Sequence, residues 1–124
     1  MRLALDQDSN VHLIRNYGPG YVTVDAEQRL TRSFALAPDA LLPEWGPEGF
    51  EALAAEHFEA LLALKPELVL LGTGARQRFP HPRLSRALTE AGIAVDAMDT
   101  AAACRTFNIV VAEGRRAVAA LLMI

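Results

Sequence analysis

Glu67-Leu68-Val69-Leu70-Leu71-Gly72-Thr73-Gly74 is the stretch on which the fold turns. Consecutive aliphatic side chains between Pro66 and a glycine turn read as a short strand buried on both faces. After it, Leu84, Ala87, Leu88 and Ala91 recur at helical spacing, opened by Pro82 and stopped at Gly92. Ile93-Ala94-Val95-Asp96-Ala97 is the next strand. Strand, helix, strand implies parallel neighbours, because a tight turn cannot join parallel strands. Further on, Asp99 or Thr100 caps a short helix reaching about Arg105. Residues 107–112 and 116–123 then read as strands around Glu113-Gly114, a hairpin that makes the final strand antiparallel.

Upstream, the sequence reads as an antiparallel β-meander. Residues 11–17 alternate loosely, Gly18-Pro19-Gly20 breaks the run, and Tyr21-Val22-Thr23-Val24 is strongly β-prone. A third strand is expected over residues 29–36. Residues 37–47 hold three prolines and read as an irregular connector, with Leu41, Leu42 and Trp45 packing on the core. Pro47 then opens an amphipathic helix in which Phe50, Leu53, Ala54, His57, Phe58, Leu61 and Leu64 share a face, ending near Lys65-Pro66. The expected architecture is α/β: one three-layer domain over residues 1–124, a mixed sheet with parallel central strands, an antiparallel final strand and an N-terminal meander.

Composition excludes several classes. With 124 residues, the chain can bury enough surface to need no disulfide or metal staple. A net charge of −3 gives no broad nucleic-acid surface. The single cysteine, Cys104, closes no intramolecular disulfide, so a reduced, cytoplasmic setting is expected. The longest apolar run, residues 117–124, is far short of the roughly 20 residues of a membrane span, and residues 1–6 reach Asp6 too early for a leader. Eleven arginines against one lysine, beside 22 alanines, fit genomic bias, but bias does not explain why Arg76, Arg78, Arg83 and Arg86 cluster.

That cluster adjoins the most suggestive local feature. Gly72-Thr73-Gly74 lies where a parallel strand ends, the side on which open α/β sheets bind ligands, and its amides could approach an anion. Gln77 stands where a dinucleotide fingerprint needs its third glycine, and no Gly-Lys-Ser/Thr follows, so a structural turn competes with a ligand site. Cys104-Arg105-Thr106 offers a thiol beside a cation, against the inert role of a small buried side chain. Asp99 belongs to the same sheet edge and serves equally as a helix cap. His57 reads as a hydrogen-bonded residue of an apolar face, His81 as a helix-entry residue and His12 as a strand residue. With Cys104 they show no metal spacing, no cofactor is implied, and no serine lies in a nucleophile elbow.

Leu70-Leu71-Gly72-Thr73-Gly74, Met98-Asp99-Thr100, Cys104-Arg105-Thr106-Phe107-Asn108 and Ala112-Glu113-Gly114-Arg115 together resemble one family. It is the Mth-type small α/β domain family, which includes mitochondrial complex I assembly factor three, the adipogenesis-associated Mth-domain protein and uncharacterised bacterial homologues. Phe107 replaces a tyrosine common in that family. The resemblance implies a three-layer α/β domain with a mixed sheet, and a protein partner rather than a catalytic set. Two functions follow. One is a non-catalytic interaction or complex-assembly factor, working through the crevice of Gly72, Thr73, Gly74, Arg76, Arg78, Asp99, Cys104, Arg105 and Thr106. The other is a binder of a small anionic metabolite or nucleotide in that crevice, or an enzyme acting on one.

Overall fold

A computed structural model describes residues 11–124, so the leader reading of residues 1–6 lies outside the described residues. The elements are β1 (Ile14–Gly18), β2 (Tyr21–Val24), β3 (Gln28–Leu30), β4 (Phe34–Ala37), β5 (Ala40–Leu42), α1 (Ala55–Glu59), β6 (Leu68–Gly72), α2 (Arg86–Glu90), β7 (Ala94–Met98), α3 (Thr100–Ala112) and β8 (Ala117–Leu121). Single 3-10 turns at Phe50–Ala52, Ala60–Leu64 and Pro82–Ser85 adjoin α1 and α2. β1, β2 and β3 form the expected antiparallel meander, and the remaining strands form a mixed sheet in the order β5-β4-β8-β6-β7. β6 lies parallel to both β7 and β8 at the centre.

The period of a strand divides the apolar run into two cores. Leu70, Ala117, Ala119 and Leu121 face α3 and the meander, packing with Phe107, Phe34 and Val22. Val69, Leu71, Val118, Ala120 and Leu122 face the opposite layer, against Trp45, Phe58, Leu61 and Leu88. Because both faces of β6 and β8 are covered, their sequences read as continuous apolar runs rather than alternating ones.

Four expectations need correction. The strand expected over residues 29–36 is two strands in different sheets: β3 pairs with β2 through Leu30, and β4 begins at Phe34 opposite Leu121. The connector is partly regular, since β4 turns back at Pro38-Asp39 into β5. β5 is an edge strand, and Pro43 lies just past it, where a missing N–H interrupts no ladder. The helix expected from Pro47 is broken, because Gly49 and Leu53 are extended. Its apolar spacing nevertheless survives in pieces, and Leu53, Phe58, Leu61 and Leu64 are all buried. Finally, residues 107–112 are helix, the second half of α3, with Gly114 at φ +84° stopping it. The final strand therefore follows a helical crossover. It runs antiparallel to β4 and parallel to β6.

Candidate functional site

β6, β7 and β8 end together, at Gly72, Met98 and Leu121. A closed hydrogen-bond network ties these ends to the start of α3. The Thr73 amide donates to the Met98 carbonyl at 2.9 Å, and the Leu122 amide to the Gly72 carbonyl at 2.9 Å. Thr100, fully buried, sits between them. Its Oγ1 accepts from the Gly74 amide at 2.8 Å and donates to the Leu122 carbonyl at 2.7 Å. The Thr100 amide donates in turn to the Gly74 carbonyl at 2.9 Å.

This network accounts for both glycines. A Cβ on Gly72 would lie 2.8 Å from Leu121 Cδ2, 2.9 Å from Thr100 Oγ1 and 3.1 Å from Thr100 Cα. Gly74 adopts φ +103°, which side-chain-bearing residues disfavour. The amides of Thr73, Gly74 and Thr100, which an anion at this turn would use, are already donating inside the protein.

The loop after the turn is held from below. Thr73 Oγ1 donates to the Arg76 carbonyl at 2.7 Å, lies 3.1 Å from the Met98 carbonyl, and accepts from the Arg78 amide at 3.1 Å. Gln77 Nε2 donates to the Ala97 carbonyl at 2.9 Å. Arg78 folds back onto the opposite layer, its guanidinium 4.2 Å from the centre of the Phe50 ring and 2.6 Å from Glu51 Oε2. The hydrogen bond from Arg78, a backbone hydrogen bond and the charges of Arg78 and Arg76 hold the Glu51 carboxyl below its usual range. Arg76 and Phe79 are left in solvent, and Phe79 is 75% exposed.

On α3 the candidate residues point to different neighbours. Asp99 caps the helix, its Oδ1 accepting from the Ala102 amide at 2.9 Å. Cys104 is 1% exposed in the core beneath the meander. Burial pushes its thiol up to about 12 against the weaker pull of the Arg105 charge. Arg105 donates from Nη1 to the Tyr17 hydroxyl at 2.8 Å, while Thr106 is half-buried. The structure thus brings Gly72, Thr73, Gly74 and Asp99 to one sheet edge. It turns Arg78 toward Phe50, leaves Arg76 outside, encloses Cys104 and directs Arg105 to β1.

Two of the histidines take the structural roles expected of them. His57 Nδ1 accepts from the Ala54 amide, and His81 Nδ1 accepts from the Arg83 amide at a helix entry. His12 instead precedes β1 and pairs with Asp25 at 2.7 Å. Two residues of consequence have roles that no local sequence pattern marks. Thr100 reads in sequence as a helix cap and in the structure joins the strand ends. Asn108 accepts from the Ile14 amide and donates to the Ile14 carbonyl, fastening α3 to β1 as a neighbouring strand would. A cleft of about 310 Å³ at the same sheet end, lined by Thr31, Arg32, Ser33, Gly46, Pro47, Glu48 and Met123, was also missed. It joins segments too distant in sequence for any local signal.

A protein-family model described as "Protein of unknown function (DUF498/DUF598)" matches residues 14–122. The chain is 33% identical over 130 residues to NADH dehydrogenase (ubiquinone) 1 alpha subcomplex assembly factor 3 of Bos taurus, covering 95% of this chain and 70% of that protein. A crystal structure of a Bordetella parapertussis protein superposes with TM-score 0.85 at 38% identity, covering 92% of this chain and 97% of the other. A solution structure from Bordetella pertussis, described as a Mth938-like domain, gives TM-score 0.81 at 32% identity, with 93% and 87% covered.

Proposed function

We propose that this chain, which belongs to the DUF498/DUF598 family and shares the fold of the Mth938-like domains, is a non-catalytic interaction domain that helps a larger complex assemble. The observation that carries this is the 33% identity with a named assembly factor across 95% of the chain. Assembly needs a stable body and a surface, and the chemistry of this fold is arranged accordingly. The hydroxyls of Thr73 and Thr100 and the amides around them serve the sheet edge internally. The thiol of Cys104 is enclosed and held in its neutral form. Beyond that edge the loop presents the exposed Arg76 to solvent.

The client class is that in the relative's name: subunits of a respiratory NADH dehydrogenase, met by this chain in the cytoplasm before the enzyme is complete. The contact face is the loop that leaves the sheet edge after Gly74, where Arg76 is exposed, with Arg105 on the flank of α3. Deleting the gene in its own host tests this. Assembled NADH dehydrogenase on native gels and NADH oxidation by isolated membranes should fall, subcomplexes should accumulate, and the chain supplied in trans should restore both. Wild-type amounts of assembled enzyme in the deletion strain would refute the client.

A further inference from the structure

We infer that Phe79 is the anchor of the contact face, inserted into an apolar pocket on an acidic protein surface whose carboxylates meet Arg76, Arg83 and Arg86. This rests on the assembly reading and adds the chemistry of the partner. Phe79 is 75% exposed, the most exposed large hydrophobic side chain among the described residues. Leaving a ring in water gains nothing for a free domain, whereas an exposed aromatic side chain in an arginine-rich segment has the composition of an interface hot spot.

The loop is ordered before any partner arrives. Thr73 Oγ1 binds the backbone on both sides of Gln77, through the Arg76 carbonyl and the Arg78 amide. The Gln77 side chain is fixed to β7, and Arg78 is stacked on Phe50 and paired with Glu51. Pro80 and Pro82 restrict the backbone immediately beyond. Phe79 is thus displayed on a braced segment, so little loop entropy remains to be lost on docking.

Charge selects the partner. Residues 68–89 hold four arginines and no Asp or Glu, in a chain whose net charge is −3. The acidic residues nearest them are Glu51, paired with Arg78, Glu90 at the end of α2, and Glu56 and Glu59 on α1, which packs against Pro82–Ser85 and α2. Among the described residues only Arg78 of the four is ion-paired, leaving Arg76, Arg83 and Arg86 exposed and able to take carboxylates in bidentate fashion. A protein surface fits better than an anionic membrane. Among the described residues, the other exposed large hydrophobics, Leu13, Leu62 and Ile109, lie on other segments of the chain.

The test places the photoreactive residue p-benzoylphenylalanine at position 79 of the full chain, expressed in the gene-deleted host, with the same residue at position 109 as control. One dominant protein adduct is expected from position 79, mapped to a segment rich in Asp and Glu. Its yield should fall at least about tenfold when Arg76, Arg83 and Arg86 are all changed to Glu, and should fall with added salt. Phe79→Ser should lose assembly and Phe79→Tyr retain it, both with unchanged thermal midpoints. Adducts to lipid, adducts to a neutral or basic segment, indifference to the charge reversal, or position 79 labelling no better than position 109 would each overturn the inference. Should assembly require the chain while Phe79→Ser supports it fully, the anchor fails and the function stands. Normal assembly without the chain removes the function itself.

Discussion

Replacing Thr100 with valine separates hydrogen bonding from packing at the sheet edge. Thr100 is fully buried, so either change at this position acts inside the protein. Valine keeps the volume but leaves the Gly74 amide without its acceptor and the Leu122 carbonyl without its donor. A buried polar group that loses its partner costs about 1–3 kcal/mol, so the pair predicts a loss of about 2–6 kcal/mol. Serine does the opposite. It keeps both hydrogen bonds and deletes one methyl group, worth about 1 kcal/mol. Against a total of about 5–15 kcal/mol for a domain of this kind, the valine change consumes a large fraction and the serine change a small one.

Urea unfolding measures both, with the slope as a check that the two states are unchanged. At a slope of about 1–3 kcal/mol per molar, a loss near 3 kcal/mol moves the midpoint by at least about 1 M. Hydrogen exchange gives a local reading, since the Gly74 amide should be protected in the wild type and the serine variant and exposed in the valine variant. A valine variant within about 1 kcal/mol of wild type, or one more stable than the serine variant, would refute the reasoning. The strand ends would then be held by packing alone.

Cys104 should resist aromatic disulfide reagents in native buffer and react at once in denaturant. Because burial raises its thiol from 9.0 to about 12, the folded state keeps the proton after the unfolded state has released it. Stability is therefore intact below pH 9 and lost as pH climbs toward 12, by about 1.4 kcal/mol per pH unit relative to Cys104→Ala, and equal slopes for the two proteins would refute the assignment. Asn108→Asp should cost about 1–3 kcal/mol at neutral pH, because a carboxylate cannot donate to the Ile14 carbonyl. The deficit should shrink in acid, where the protonated carboxyl regains a donor. A deficit independent of pH, measured by chemical unfolding, would show that Asn108 acts through packing.

The central strands were legible because their burial is written in one-dimensional runs. β6 and β8 are covered on both faces, so each reads as an uninterrupted aliphatic stretch. α3 was half misread for a related reason. Phe107, Ile109, Val110 and Val111 carry the aromatic and β-branched side chains of a strand, and Glu113-Gly114 doubles as a hairpin turn or a helix stop. The deciding information is the longer register: Thr100, Ala103, Cys104, Phe107 and Val110 are the buried positions, spaced by three and four. The broken segment between Gly49 and Lys65 misled in the opposite sense. Its apolar spacing is helical, but Gly49 and Leu53 take extended backbone, and Lys65 at φ +53° turns the chain. Side-chain periodicity records which face is buried, not whether the backbone is continuous.

At the candidate site, the glycine turn was readable as a place and not as a purpose. Its purpose depends on Thr100, 26 residues beyond Gly74, and on the Leu122 carbonyl, 22 residues beyond Thr100. No local pattern encodes that meeting. The same network explains how the exposed loop is supported. Thr73 has one neighbour in the sheet and two in the loop, so the interaction that closes the strand end also shapes the backbone before Phe79. A Thr73→Val change should therefore loosen the arginine loop as well as the edge. The polar groups of the glycine turn thus also fix the backbone of the residues they precede.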